Sequence, residues 1–283
     1  MEKRSFLFAI IFSLALIMNS NMLISVTTAN PLPSPKEYEM GGIVTNNALS
    51  FSLTNANVVF NIDSTDFKHN IGISFEGNYT VFNPNNTTEI QIAAPFSFSE
   101  SVINSNCTVE VNGTQVSFDT GDAYSLGIED WVMNYTFYYS WTIIICSIII
   151  PENGSQTIKY RFNHSMPNPH DEFSILYDLE TSKAWSGNIN ERVEFRVHGK
   201  LPKRYIEMSL GSYEYSVIIT DIDYGKIYAW EWNNEQINTL RVGIRYISIF
   251  DPMRIIIFVG IAVPISIIVI GFILIRRRRS RRL

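Results

Sequence analysis

The chain has 283 residues, of which 46% are hydrophobic, 13% aromatic and only 17% charged, a balance that excludes general disorder and supplies enough apolar material for a packed core. Its formal charge of −5 conceals an asymmetry, because residues 30–254 hold 14 basic against 26 acidic side chains while six arginines close the chain. A middle section this acidic excludes nucleic acid as a partner and fits a solvated or cation-rich exterior.

The first element, 1–29, reads as a signal peptide. Glu2-Lys3-Arg4 supplies the charged start, Phe6–Met18 the apolar stretch and Thr27-Thr28-Ala29 a small-residue cleavage site. The apolar stretch is short for a membrane span, and an uncleaved anchor is the other outcome. Either places the middle of the chain outside. Residues 30–36, Asn-Pro-Leu-Pro-Ser-Pro-Lys, form a proline-rich linker without helix or ladder potential.

From Gly41-Gly42 onward the pattern is one of short alternating runs broken by Asn, Gly and Asp. Strands are predicted at Leu49–Leu53, Val58–Ile62, Ile71–Phe75, Tyr79–Phe82, Glu89–Ala93, Cys107–Val111 and Gln115–Phe118, with no helical periodicity between them. Asn112-Gly113 is the strongest hairpin signal in the chain. Trp131–Pro151 carries no charge and competes as a membrane span, yet its strictly apolar part, Ile143–Ile150, is too short for one. Its β-branched and aromatic residues favour a core strand buried on both faces. Further strands are predicted at Gln156–Asn163, Ile189–Val197, Tyr205–Ser209, Tyr213–Thr220, Lys226–Asn233 and Thr239–Ile247, with a short helix or irregular crossing over Asp171–Ala184. The expected fold class is all-β: one or two antiparallel, Ig-like β-sandwiches, divided as 37–130 and 131–250, with a single larger sandwich as the alternative.

Ile255–Ile275 is a run of 21 uncharged residues, as long as a helix needs to cross a bilayer. The tail that follows, 276–283, holds Arg276, Arg277, Arg278, Arg279, Arg281 and Arg282, which orient that end to the cytoplasm and attract anionic lipid. Pro264 sits mid-run, and Ala262 and Ser266 form a small-x-x-x-small pair, a cue for helix pairing. The expectation is a single-pass cell-membrane protein of type I, integral to the membrane, with its ectodomain outside and its C-terminus in the cytoplasm.

Tyr177-Asp178-Leu179-Glu180-Thr181, followed by Trp185-Ser186-Gly187-Asn188-Ile189, resembles an uncharacterised, domain-of-unknown-function family of exported prokaryotic β-rich proteins with a Tyr-x-Leu…Trp-x-Gly-x-Ile signature. Gly41-Gly42, Pro95-Phe96 and the strand with Trp230 and Trp232 match it as well, so the likeness covers most of 37–248. It implies a β-rich fold and export. The family has no established activity, and no catalytic residue follows from it.

Eight Asn-x-Ser/Thr sequons start at Asn78, Asn85, Asn86, Asn106, Asn112, Asn134, Asn153 and Asn163, candidate glycosylation sites on the surface of an exported domain. None follows residue 163, which suggests a glycan-free partner surface near the membrane. Cys107 and Cys146, the two cysteines, are candidates for a disulfide in an oxidising compartment, or else two separate buried thiols. Asp221-x-Asp223-x-Gly225 resembles half a calcium loop but lacks its distal ligands and reads as a turn, as does Asp119–Asp122. His164 and His170-Asp171-Glu172 match no standard zinc spacing. Tyr228, Trp230 and Trp232 alternate onto one face, as core or as a platform for sugar rings. No nucleophile elbow, His-Glu-x-x-His or glycine-rich phosphate loop is present, so no cofactor, metal or catalytic residue is expected. These features favour a non-enzymatic surface glycoprotein for adhesion, recognition or envelope structure, with a protein or glycan partner outside. An accessory subunit of a membrane complex is the alternative, and a surface hydrolase the third reading.

Overall fold

Alternation is most regular over Asn70–Asn83, where half-exposed and buried residues succeed each other through all 14 positions. That is the signature of a strand with one wet and one packed face. The computed structural model describes residues 36–46, 51–67, 69–132, 141–167, 173–209, 217–247 and 271. Residues 35–247 form one compact unit, and 1–34 with 248–283 another. The expected leader, the run 255–275 except Gly271, and the arginine tail lie outside the described residues. Among the described residues no helix is long and apolar enough to cross a membrane.

In chain order the elements are β1 (Lys36–Gly41), β2 (Val44–Thr45), β3 (Ser52–Ser64), β4 (Asn70–Asn83), β5 (Thr88–Phe96), α1 (Glu100–Asn106), β6 (Cys107–Val111), β7 (Thr114–Val116), β8 (Asp119–Gly121), α2 (Glu129–Val132) and β9 (Thr142–Ile150). There follow β10 (Gly154–Pro167), β11 (Phe173–Asp178), a 3-10 turn (Glu180–Ala184), β12 (Ile189–Gly199), β13 (Arg204–Ser209), β14 (Ile218–Ile222), β15 (Gly225–Glu235) and β16 (Thr239–Tyr246). The first sheet runs β13-β16-β11-β1-β5-β9-β8, with β2 also on β5, and the second runs β14-β15-β12-β3-β4-β10-β6-β7. Aromatic rings from the two inner faces meet between them. Phe60 of β3 stacks on Phe195 of β12 with centroids 4.4 Å apart and stands edge-on to Tyr177 of β11, across the gap, at 6.3 Å.

The architecture is therefore all-β, as the alternation predicts, but two expectations are corrected. The sheets are mixed rather than antiparallel, because β1 pairs parallel to β11 and β3 parallel to β12. The proposed division into sandwiches over 37–130 and 131–250 gives way to one sandwich, since each sheet draws strands from both halves of the chain.

Local differences have local causes. The expected strands at Ile71–Phe75 and Tyr79–Phe82 are one strand, because Gly77 between them keeps its place in the ladder opposite Val58. Glu100–Asn106 forms a helix too short to register as a 3.6-residue period. Within Trp131–Pro151 only Thr142–Ile150 is strand, with its first five residues buried on both faces; Glu129–Val132 is helical, and 133–140 lie outside the described residues. Phe173–Asp178, expected as a helix or crossing segment, is a strand with all six residues buried, and burial on both faces erases the alternation that would have marked it. The β6–β7 turn at Asn112-Gly113 has φ of 49° and 79°, the paired left-handed geometry of a two-residue hairpin.

Strand direction gives the sandwich two poles. At the first, here the exit pole, Lys36 pairs with Phe173 and Phe173 with Tyr246, so β1 begins and β16 ends side by side, one strand apart. The β3–β4 turn, the β12–β13 loop and the β14–β15 turn lie at this pole as well. The far pole carries the β4–β5, β6–β7 and β9–β10 turns. Because Phe60 is fully buried between both sheets, Phe60→Ala is expected to cost about 3–5 kcal/mol in denaturant unfolding followed by tryptophan fluorescence.

Candidate functional site

On β12 the parity of Ile189, Val193, Phe195 and Val197 points into the core, and Glu191 shares it. This carboxyl is buried beside the hydroxyl of Tyr177 of β11, and Tyr79 Oη of β4 lies 3.3 Å from Tyr177 Oη. Glu191 Oε2 has no hydrogen-bond partner. Desolvation pushes the Glu191 pKa up to about 8, and burial raises both tyrosines. A carboxyl without a cation beside it is held neutral at pH 7, so the core stores one proton here.

On the opposite face of the first sheet, Glu39 of β1 and Asp178 of β11 are also buried, with Glu180 next to them. Arg241 of β16 places Nε 2.8 Å from Glu39 Oε1, as an ion pair rather than an aligned hydrogen bond. Asp178 Oδ1 accepts the backbone N–H of Glu180 at 2.8 Å. Desolvation lifts Glu39 to about 8 against the pull of Arg241, and lifts Asp178 to about 7. Arg241, even with the exposed Lys183 near Asp178 and Glu180, does not offset the burial of three carboxyls, so this cluster also retains protons.

Two surface features lie apart from these carboxyls. At the exit pole an open cleft of about 800 Å³ is lined by Ser64–Phe67, Gly199–Leu201, Tyr224 and Gly225. Its floor is Phe67, packed on Phe173 and Tyr246, with Lys200 Nζ 3.4 Å above the ring centroid. Ser64 Oγ reaches the carbonyls of His198 and Lys200 at 2.8 and 2.7 Å, donating to one at a time, which fixes the cleft wall. Tyr224 stands at the lip, 91% exposed with φ of 60°. Along the side of the sandwich, β13 and β14 are the edges of the two sheets, joined across the gap where Trp230 Nε1 donates to Glu207 Oε2 at 3.0 Å. Ile218, Ile219, Thr220 and Asp221 of β14 are all exposed, so both faces of that edge strand are bare.

The residues singled out in the sequence disperse over this frame. Sequon asparagines Asn85, Asn86, Asn112 and Asn153 occupy exposed turns of the far pole; Asn106 and Asn163 are exposed elsewhere, Asn78 is partly exposed on the outer face of the second sheet, and Asn134 lies outside the described residues. Of the two readings of the cysteines, the structure has the second: Cys107 and Cys146 are separate, buried thiols, and burial pushes Cys107 up to about 12. They enter the core from opposite sheets around Tyr160, whose hydroxyl lies 3.9 Å from Cys146 Sγ and also feels Cys107. His164 is wedged near Phe98 and Phe162, and burial lowers its pKa; His170, Asp171 and Glu172 lie outside the described residues. Asp221-x-Asp223-x-Gly225 closes the β14–β15 turn, with Asp221 on Lys226 at 2.7 Å. Asp119–Gly121, read as a turn, is strand β8, and the turn begins at Asp122. Tyr228, Trp230 and Trp232 are buried and belong to the core. The arginines of the tail lie outside the described residues. The buried carboxyls were missed, although Glu191 at an apolar parity position of Ile189–Val197 was a readable signal.

No family model matches the chain, and no curated protein is similar to it at the sequence level. Among solved structures, a provisionally named nutrient binding protein from Legionella pneumophila is similar with a TM-score of 0.54 at 14% identity, over 75% of this chain and 72% of that one. That likeness is one of fold. An M1 zinc metallopeptidase from Deinococcus radiodurans (TM-score 0.36, 9% identity, 69% of this chain and 42% of that one) and yeast LTA4 hydrolase (0.36, 13%, 79% and 32%) are more remote, and this chain spans less than half of either.

The buried carboxyls set a pH dependence. Glu191, Glu39 and Asp178 have folded pKa values raised above their unfolded ones, so their contribution is complete below about pH 4 and is lost as pH rises through about 7–8. Unfolding free energy is therefore expected to fall between pH 4.5 and 9, by on the order of a few kcal/mol for Glu191 alone, and Glu191→Gln should flatten that slope in denaturant titrations at several pH values.

Proposed function

We propose that this chain is a non-enzymatic, single-pass surface protein whose β-sandwich recognises another protein outside the membrane, through the side of the sandwich formed by β13 and β14. One observation carries the reading. Of the seven exposed large hydrophobic side chains among the described residues, Tyr205, Met208, Ile218, Ile219 and Tyr224 all fall within residues 205–224. Solitary exposed apolar residues are ordinary, but a cluster on one edge marks an interaction surface.

The chemistry of the edge favours strand addition. β14 hydrogen-bonds only to β15 among the described strands, which leaves its outer backbone groups open, and the Ile218-Ile219-Thr220 run is β-branched. An extended apolar segment of a partner can pair with that backbone and cover both isoleucines. The seven described sequon asparagines all lie at or before residue 163, and sugars on them would leave this side clear. The small-x-x-x-small pair Ala262/Ser266 supports a second form of the same reading, in which the partner is a membrane protein and this chain its accessory subunit.

A photo-crosslinking amino acid at Ile219 of the full chain, in its own membranes, is expected to give one discrete adduct, lost in a β14 carrying Ile218→Lys. The same group at Ile149, exposed on β9, should give none. Equal adducts at both positions, or none at either, would discard the reading.

A further inference from the structure

The β12–β13 loop inverts the electrostatics of the region around it. Gly199-Lys-Leu-Pro-Lys-Arg-Tyr205 carries three cations and no acid, within a section of 14 basic and 26 acidic residues. Lys203-Arg204 is the only adjacent basic pair between Lys3-Arg4 and the arginine tail. Lys203, Arg204 and Tyr205 are exposed, and the Lys203 backbone N–H donates to the Arg245 carbonyl at 2.9 Å, which ties the loop to the end of β16. Beside it, Tyr224 projects from the cleft lip. Several acids of this pole are already engaged: Asp66 with His69 at 2.7 Å, Asp221 with Lys226 at 2.7 Å, and Asp63 with the Thr65 hydroxyl at 2.7 Å. Among the described residues, Asp223 and Glu37 are the other acids of this pole.

Chain length says what this pole can meet. β16 ends at Tyr246, and residues 247–254 precede the apolar run that starts at Ile255. Fully extended, those eight residues reach at most roughly 30 Å. Strands β4 and β10, of 14 residues each, extend the far pole by roughly another 45 Å. On the reading of 255–275 as a membrane span, a tether of that length limits how far the exit pole can stand from the membrane, and limits the sequon-bearing turns less.

We infer that the exit pole docks on the anionic phosphate headgroups of the bilayer that holds the chain, through Lys200, Lys203, Arg204, Tyr205 and Tyr224. The inference rests on the reading of 255–275 as a membrane span. Lysine and arginine supply the donors that phosphate oxygens accept, and tyrosine suits the headgroup layer, with an apolar ring and a polar hydroxyl. The docked pole presents the β13–β14 edge sideways, parallel to the membrane.

The test uses the full chain in proteoliposomes of phosphatidylcholine alone or mixed with phosphatidylglycerol. An environment-sensitive fluorophore is attached at Thr65→Cys on the cleft lip or at Thr114→Cys at the far pole; the native cysteines are buried. Headgroup spin-labelled lipid is expected to quench the Thr65 position in the mixed vesicles, less in phosphatidylcholine alone, and to leave position 114 unquenched. Lys203→Gln with Arg204→Gln should shift the docked-to-free ratio about 25-fold, roughly fivefold per cation. Equal quenching at both positions, indifference to phosphatidylglycerol, or indifference to the double variant would overturn the docking. Carbonate extraction separates the two readings. Release of the chain overturns the anchor, whereas a retained chain without quenching overturns only the docking.

Discussion

Two parallel ladders hold this structure together, β3 with β12 and β1 with β11. Each joins segments more than 100 residues apart in sequence, and among the described strands each is the only ladder between the early and late strands of its sheet. Remove them and the sandwich falls into a side made of β11 to β16 and a side made of β1 to β10. Neither would be a domain, because Phe60 needs Phe195 beside it and Tyr177 above it to be covered. Such long loop closures must be completed before the core rewards them, which places both ladders late in folding. The same division explains the surface. The described sequons belong to the early side, and the bare apolar edge belongs to the late one.

The interior polarity follows from that seam. Glu191 sits on β12, immediately at the parallel junction, and reaches Tyr177 on the other sheet's junction strand; Glu39 and Asp178 face each other's strands across the β1–β11 ladder. Three raised carboxyls thus line the two places where the halves meet. On the outer face of the second sheet, by contrast, Glu76 with Lys159 and Arg161, and Glu194 with Arg192 and Arg196, form ion pairs that keep their charges at the surface. The half-exposed Glu76 pairs contribute little, whereas Glu194 is buried beneath its two arginines. The protonated groups are at the seam and the ion-paired ones are on the outer face of the second sheet.

How far the fold was legible depended on how many faces each strand buries. One-sided strands such as β4, β10 and β12 announced themselves by alternation, and Asn112-Gly113 fixed a hairpin from two residues. The two-sided strand β11 did not, because Phe-Ser-Ile-Leu-Tyr-Asp has no period of two. Single versus double sandwich was illegible for a different reason: strand pairing between distant segments leaves no local mark, and a parallel ladder has no turn to betray it. The cysteines were undecided for the same reason, since spacing does not reveal that Tyr160 stands by both sulfurs. Glu191 was readable in principle, as a charge on an apolar parity. The apolar edge was hidden inside good strand patterns, where exposure depends on which strand ends up outermost.

The position of β16 has a mechanical consequence. It lies between β13 and β11, antiparallel to both, and its C-terminal end is where the chain leaves the sandwich. Tension applied between that exit and the far pole would load β16 along its own axis. Its ladder bonds lie across that axis, so they would be sheared together rather than opened one after another like a zip. Tension entering through β16 would meet the whole strand at once, the arrangement in which a short strand bears the greatest load.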